Sequence, residues 1–286
     1  MKEMNKFIET FIQSSFFSFL LIFSLLIHPS TSAITSFLYA GCTQLKFTPG
    51  TPYESNVHSV LVSLVNSAAT TNFNNFKISL PGSTPNDVVY GLFQCRGDLS
   101  NEDCHDCVVS AVSRLGTLCV DTYGGALQLD GCLVRYSNVS FLGVEDKTIV
   151  LKNCGPSIGY DSDSLTRRDA VLGYLTAGGQ YFRVGGSGNV QGMVQCVQDL
   201  SMSECQDCVT EAIGRLKNEC GTSRWGDMFL AKCYARYSER GFHSGSGNGD
   251  DMEKTLAIII GLIAGMALII VLLSAFNKLF EKKGGK

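Results

Sequence analysis

Cys95-Arg96-Gly97-Asp98-Leu99-Ser100-Asn101-Glu102-Asp103-Cys104-His105-Asp106-Cys107 decides how this chain is read, because Cys196-Val197-Gln198-Asp199-Leu200-Ser201-Met202-Ser203-Glu204-Cys205-Gln206-Asp207-Cys208 repeats it. The spacing continues identically: Cys119 and Cys132 follow the first copy as Cys220 and Cys233 follow the second. One more cysteine precedes each copy, Cys42 and Cys154, so all 12 cysteines divide equally between the repeats. Arg114-Leu115 recurs as Arg215-Leu216, and Arg135-Tyr136-Ser137 as Arg236-Tyr237-Ser238. A period of roughly a hundred residues is domain-sized, so two tandem domains are expected rather than a solenoid.

The two ends of the chain set the compartment. Lys2 and Lys6 precede an apolar run from Phe16 to Ile27, then Pro29 and the small residues Ser30 to Ala33, the pattern of a secretory signal peptide cleaved near Ser32 or Ala33. Leu256 to Phe276 is a run without charge; at about 1.5 Å per residue a helix of this length crosses a bilayer core. Asp250, Asp251 and Glu253 come before it, and Lys278, Lys282, Lys283 and Lys286 after it, so the positive-inside rule places the N-terminal side outside the cell. Gly261 and Gly265 make a GxxxG within this span, which lets two helices approach closely. The ends hold 6 of the 23 basic residues and 3 of the 26 acidic ones, leaving 17 against 23, a net charge of −6 between them. An acidic ectodomain has no electrostatic footprint for nucleic acid.

Between the ends, Thr51-Pro52-Tyr53-Glu54 reads as a helix start with a capping box, and Val57, Leu61, Leu64, Val65 and Ala68 as its core face. Strands are expected over 73–80 and 88–94. A second helix starts at Ser100; its counterpart at Ser201-x-x-Glu204 is a full capping box. Cys104, Cys107, Ala111 and Leu115 share one helical face, as do Cys205, Cys208, Ala212 and Leu216. Residues 126–137 read as one long strand, mirrored by 225–237, with a shortened helix over 165–177 and a strand over 181–184 in the second repeat. Asn138-Val139-Ser140 is the one N-x-S/T sequon, just past a strand, and marks Asn138 for glycosylation.

Chemistry is sparse. Cys104-x-x-Cys107 has the spacing of a redox pair or half a zinc site. An even cysteine count, repeated spacing and a secretory context instead describe structural disulfides, for which six cysteines allow fifteen pairings per repeat. His58, His105 and His243 come without a nucleophile signature or metal spacing, and Gly185-Gly186-Ser187-Gly188 lacks the Lys of a phosphate loop. No enzyme, cofactor or metal is expected.

The doubled C-x8-C-x2-C pattern resembles the plant gnk2-homologous (DUF26) domains. A signal peptide, two such domains, one membrane helix and a short tail resemble the plasmodesmata-located proteins over essentially the whole chain. The resemblance implies an α+β fold, each domain an antiparallel sheet with two helices, stapled by disulfides, followed by one C-terminal transmembrane helix. It implies the pairs Cys42–Cys119, Cys95–Cys104 and Cys107–Cys132, then Cys154–Cys220, Cys196–Cys205 and Cys208–Cys233. The division it suggests is 1–33 signal peptide, 34–141 and 142–241 the two domains, 242–255 linker, 256–276 membrane helix and 277–286 cytoplasmic tail. The mannose-binding relative ginkbilobin implies ligand positions that here hold Thr43, Ala126 and Ser137, and Gly155, Asp227 and Ser238. All six depart from its pattern, so mannose is not the expected ligand, while another cell-wall glycan stays open. In function the resemblance implies a non-enzymatic plasma-membrane protein at plasmodesmata, modulating cell-to-cell traffic through callose deposition. The alternative is a membrane-tethered, lectin-like ligand-binding module in defence signalling. Expected partners are the membrane, related chains in homo- or hetero-oligomers, callose-synthesis machinery acting indirectly, and viral movement proteins.

Overall fold

In a computed structural model, residues 33–239 and position 262 are described. The readings of 1–32 and 242–286, with Gly261 and Gly265, lie outside the described residues apart from position 262. Among the described residues no helix is long and apolar enough to cross a membrane.

Each repeat folds as one five-stranded antiparallel sheet carrying two helices. The first contains β1 (Phe37–Cys42), α1 (Pro52–Ala68), β2 (Phe73–Ile78), β3 (Val89–Cys95), α2 (Asn101–Leu118), β4 (Gly124–Leu129) and β5 (Cys132–Ser137). The second contains β6 (Ile149–Cys154), α3 (Ser162–Thr176), β7 (Phe182–Ser187), β8 (Val190–Cys196), α4 (Met202–Glu219), β9 (Trp225–Leu230) and β10 (Cys233–Ser238). Strand order is β1-β4-β5-β3-β2 in one sheet and β6-β9-β10-β8-β7 in the other.

Several local expectations need correction. The long strands read over 126–137 and 225–237 are each a hairpin, broken at Asp130-Gly131 and at Ala231-Lys232. The N–H groups of Asp130 and Gly131 turn away from the ladder to the carbonyls of Ser36 and Ile34. The strand read over 181–184 runs on through Gly185 and Gly186, and α3 begins at Ser162, where Asp161 caps it by accepting from the Asp163 and Ser164 N–H groups (3.0 and 3.4 Å). The box at Thr51 does not form: the Thr51 hydroxyl donates to Thr48 O (2.8 Å) and Glu54 accepts from the Gly50 N–H (2.7 Å). The box at Ser201 does form, with Ser201 Oγ accepting from Glu204 N–H (3.3 Å) and Glu204 from Ser201 N–H (2.8 Å).

Alternation along the strands assigns one face of each sheet to its helices. Cys95, Leu127, Leu129, Val134 and Tyr136 pack with Val60, Leu64, Cys104, Cys107, Ala111 and Leu115 in the first core. The second core repeats this with Val194, Cys196, Met228, Leu230, Ala235 and Tyr237 under Val171, Leu172, Cys205, Cys208, Ala212 and Leu216. On α1 the buried stripe is Tyr53, Asn56, Val60, Leu64 and Ala68; Val57, Leu61 and Val65 flank it. Close helix approach requires glycine at one register position in both repeats. A Cβ on Gly91 would lie 2.2 Å from Val60, and one on Gly192 would lie 2.6 Å from Val171.

The opposite faces of the two sheets meet each other, so the repeats stack as helices, sheet, sheet, helices. Leu92 and Leu133 join Val197 and the connecting residue Phe141 in a third apolar cluster. Tyr39 meets Phe229 edge-on at 6.1 Å. Buried polar groups are matched across the contact: Gln195 donates to Cys95 O (2.8 Å), and Gln94 accepts from Gln198 N–H (3.0 Å). Burial of unpaired amides is costly, so these bonds fix the register of one repeat on the other.

Candidate functional site

The disulfides hold the strands that build the site. Cys42–Cys119, Cys95–Cys104 and Cys107–Cys132 have Cα–Cα distances of 5.4, 5.6 and 6.0 Å. Cys154–Cys220, Cys196–Cys205 and Cys208–Cys233 have 5.3, 5.6 and 6.1 Å. The C-x-x-C cysteines are thus bonded outward to strands rather than to each other, and among the described residues no cysteine is free. Half-buried His105 and exposed Asp106 are neighbours with ring nitrogen and carboxylate 3.6 Å apart, and no group of metal-holding residues occurs among the described residues. Asn138 is exposed immediately after β5.

A cleft of about 300 Å³ lies between β1, β4 and β5 of the first repeat and the segment leading into the second. Its walls include Tyr39, Thr43, Ala126, Arg135, Ser137, Asp146, Thr148 and Ala231. Thr43, Ala126 and Ser137, far apart in sequence, are therefore brought together. Arg135 is partly buried, with its guanidinium 4.3 Å from the Phe141 ring centroid. Burial pushes the Tyr39 phenol well above its ordinary range, with the Arg135 charge pulling the other way.

The equivalent place in the second repeat is filled. Trp225 occupies the position of Gly124 and covers Gly155; a Cβ on Gly155 would lie 2.4 Å from the indole nitrogen. Asp227 occupies the position of Ala126 and pairs with Arg236 at 2.7 Å. Arg236 also reaches Asp130 of the first repeat at 2.7 Å, and Asp130 in turn holds Arg96 at 2.5 Å. Gly155, Asp227 and Ser238 are consequently not assembled into an open cleft.

A second buried pair locks the connection. Lys232 and Asp199 pair with side-chain exposures of only 1 and 3%, and Lys232 donates to Phe141 O (2.9 Å). Asp199 also accepts from Gly143 N–H (3.0 Å). Burial lowers the Lys232 pKa from its ordinary value, while Asp199 opposes that shift.

Sequence reading missed Arg135, Tyr39 and Asp146. The available signal was the repeat alignment itself: Arg135 and Arg236 correspond, yet Ala126 stands where the second copy has Asp227.

The geometry defines a class: two disulfide-stapled α+β domains fused sheet to sheet, with a ligand-sized cleft in the first. The signature of the salt stress response/antifungal family matches residues 41–139 and 159–240, and the chain belongs to that family in its tandem form. More narrowly, it resembles the plasmodesmata-located proteins from end to end. It is 55% identical to plasmodesmata-located protein 6 of Arabidopsis thaliana, over 94% of this chain and 97% of that one. It is 59% identical to plasmodesmata-located protein 7 of the same plant, over 85 and 83%. The crystal structure of the tandem DUF26 ectodomain of the Arabidopsis thaliana cysteine-rich receptor-like protein PDLP5 covers 71% of this chain and 99% of its own, at 48% identity and a TM-score of 0.67. That of PDLP8 covers 74 and 100%, at 41% identity and 0.68.

Proposed function

We propose that the chain is a non-enzymatic, single-pass plasma-membrane protein of plasmodesmata that modulates cell-to-cell traffic, acting on callose deposition through other proteins. The observation that carries this reading is the near end-to-end similarity to plasmodesmata-located protein 6, including the sequence outside the two domains. The ectodomain lies outside the cell, Leu256–Phe276 anchors it, and membrane, related chains and viral movement proteins are its candidate partners. The test is a fluorescent fusion after Lys286, imaged beside a callose stain in plant epidermis. Puncta in paired walls that coincide with callose are expected; a uniform plasma-membrane signal would sink the plasmodesmal reading.

A second reading, a tethered ligand-binding module, is favoured by the cleft on the first repeat, whose volume lies at the small end of ligand pockets.

A further inference from the structure

The internal repeat supplies its own control for the cleft. Residues 101 apart correspond, because Cys95 maps on Cys196, so Arg236 is the counterpart of Arg135. Arg236 is held by two carboxylates, Asp227 of its own sheet and Asp130 of the other repeat, both at 2.7 Å. The residues that correspond to those two aspartates around Arg135 are Ala126 and Ala231. Both alanines line the cleft beside Arg135. The cleft is therefore open where two carboxylates stand in the symmetric half.

What remains is a prepared cation. Among the described residues the Arg135 side chain makes no ion pair or hydrogen bond, and its guanidinium is held over Phe141. A planar guanidinium so held presents a fork that matches a carboxylate in a two-bond geometry. Fixing it in advance also removes part of the ordering cost of binding. The rest of the lining selects among carboxylates. Thr43, Ser137, Thr148 and Tyr39 carry hydroxyls, and Asp146 is an acceptor whose carboxylate takes the Thr148 N–H at 3.0 Å. A bare anion gains nothing from Asp146, whereas a hydroxylated ring can donate to it.

We infer that the first repeat binds a sugar acid, with the ligand's carboxylate on Arg135 in the space left by Ala126 and Ala231. The inference stands on the cleft alone and is independent of where in the cell the protein acts.

The test is calorimetric titration of the full chain in detergent micelles with trigalacturonate, the neutral galactotriose and a triglutamate peptide. Trigalacturonate is expected to bind saturably and galactotriose not at all. Arg135→Gln should weaken trigalacturonate at least tenfold. Ala126→Asp should do the same by supplying the missing internal carboxylate, and it keeps the fold because the second repeat already has Asp opposite Arg in that register. Lys152→Gln, which removes an exposed cation on β6, should change nothing. Equal binding of the neutral trimer, no binding of trigalacturonate, unchanged affinity in Ala126→Asp, or an equal loss in Lys152→Gln would each overturn the inference. Binding of triglutamate without trigalacturonate would overturn it in favour of an acidic peptide.

Discussion

Arg135 and Arg236 sit in the same register of sister strands, yet one faces a cleft and the other is clamped between two aspartates. Helices, cysteines and hydrogen-bond ladders repeat between the halves; the differences collect on the sheet faces that meet. A duplicated domain keeps the residues that hold its own core and frees those that a partner domain now covers. In the second repeat that freedom filled the hollow with Trp225 and Asp227. In the first, glycines and alanines left it open.

The comparison is broken most severely if the two halves are not equally dependent on their long disulfides. Cys42–Cys119 closes 77 residues and Cys154–Cys220 closes 66. In the chain-entropy model each bond then contributes about 4 kcal/mol, and the 9-residue bridges Cys95–Cys104 and Cys196–Cys205 about 2.5 kcal/mol. Replacing either long pair by serines should lower stability by closely similar amounts in denaturant unfolding. Strongly unequal losses would mean that one repeat supports the fold of the other.

A sharper asymmetry is expected at the aspartates that follow the second cysteine of each repeat by three positions. Asp199 is buried against Lys232, so Lys232→Ala leaves a charge without compensation and should cost about 3 kcal/mol or more. Asp98 is 46% exposed in its pair with Arg96, and Asp98→Ala should cost no more than about 1 kcal/mol. Thermal unfolding of the two variants side by side reads the difference. If Lys232→Ala is as mild as Asp98→Ala, the connection through Phe141 and Gly143 is not what locks the repeats together.

Both cysteine faces and the box at Ser201 were legible because each depends on residues within one helix. The first hairpin did carry a turn signal in Asp130-Gly131, overridden in the reading by the apolar alternation that continues on either side; the second was not legible, because Ala231-Lys232 carries no turn chemistry at all. β1 and β6 were invisible for another reason: as edge strands they are mostly exposed and show no burial pattern. The pairing of the cysteines was beyond spacing alone, which permits fifteen schemes per repeat, and came from the resemblance. Arg135 was legible as a repeated residue; that no carboxylate among the described residues pairs with it depends on Ala231, nearly a hundred residues away, and only the stacking of the sheets brings them together.

Helix starts give the finest contrast. Ser201 caps α4, so Ser201→Ala should cost about 1 kcal/mol. Thr51 makes no such bond to α1, and Thr51→Ala should stay within about 0.5 kcal/mol of the parent. An equal loss at both would mean that Thr51 caps its helix in solution after all.

The smallest effect is one of pH. Hydrogen bonds from the Ser201 hydroxyl and N–H hold the Glu204 carboxyl below its ordinary value. A folded-state pKa below the unfolded one gives stability that is fully present above the ordinary glutamate value of about 4.3, and it is lost as pH falls through the folded value. Glu204→Gln keeps an acceptor for the Ser201 N–H but cannot titrate. The variant should therefore lose less melting temperature than the parent between pH 6 and pH 3, with amide exchange at Ser203 to Cys205 showing the same pattern. If parent and variant fall in parallel, Glu204 is not held by its box, and α4 starts no more firmly than α1.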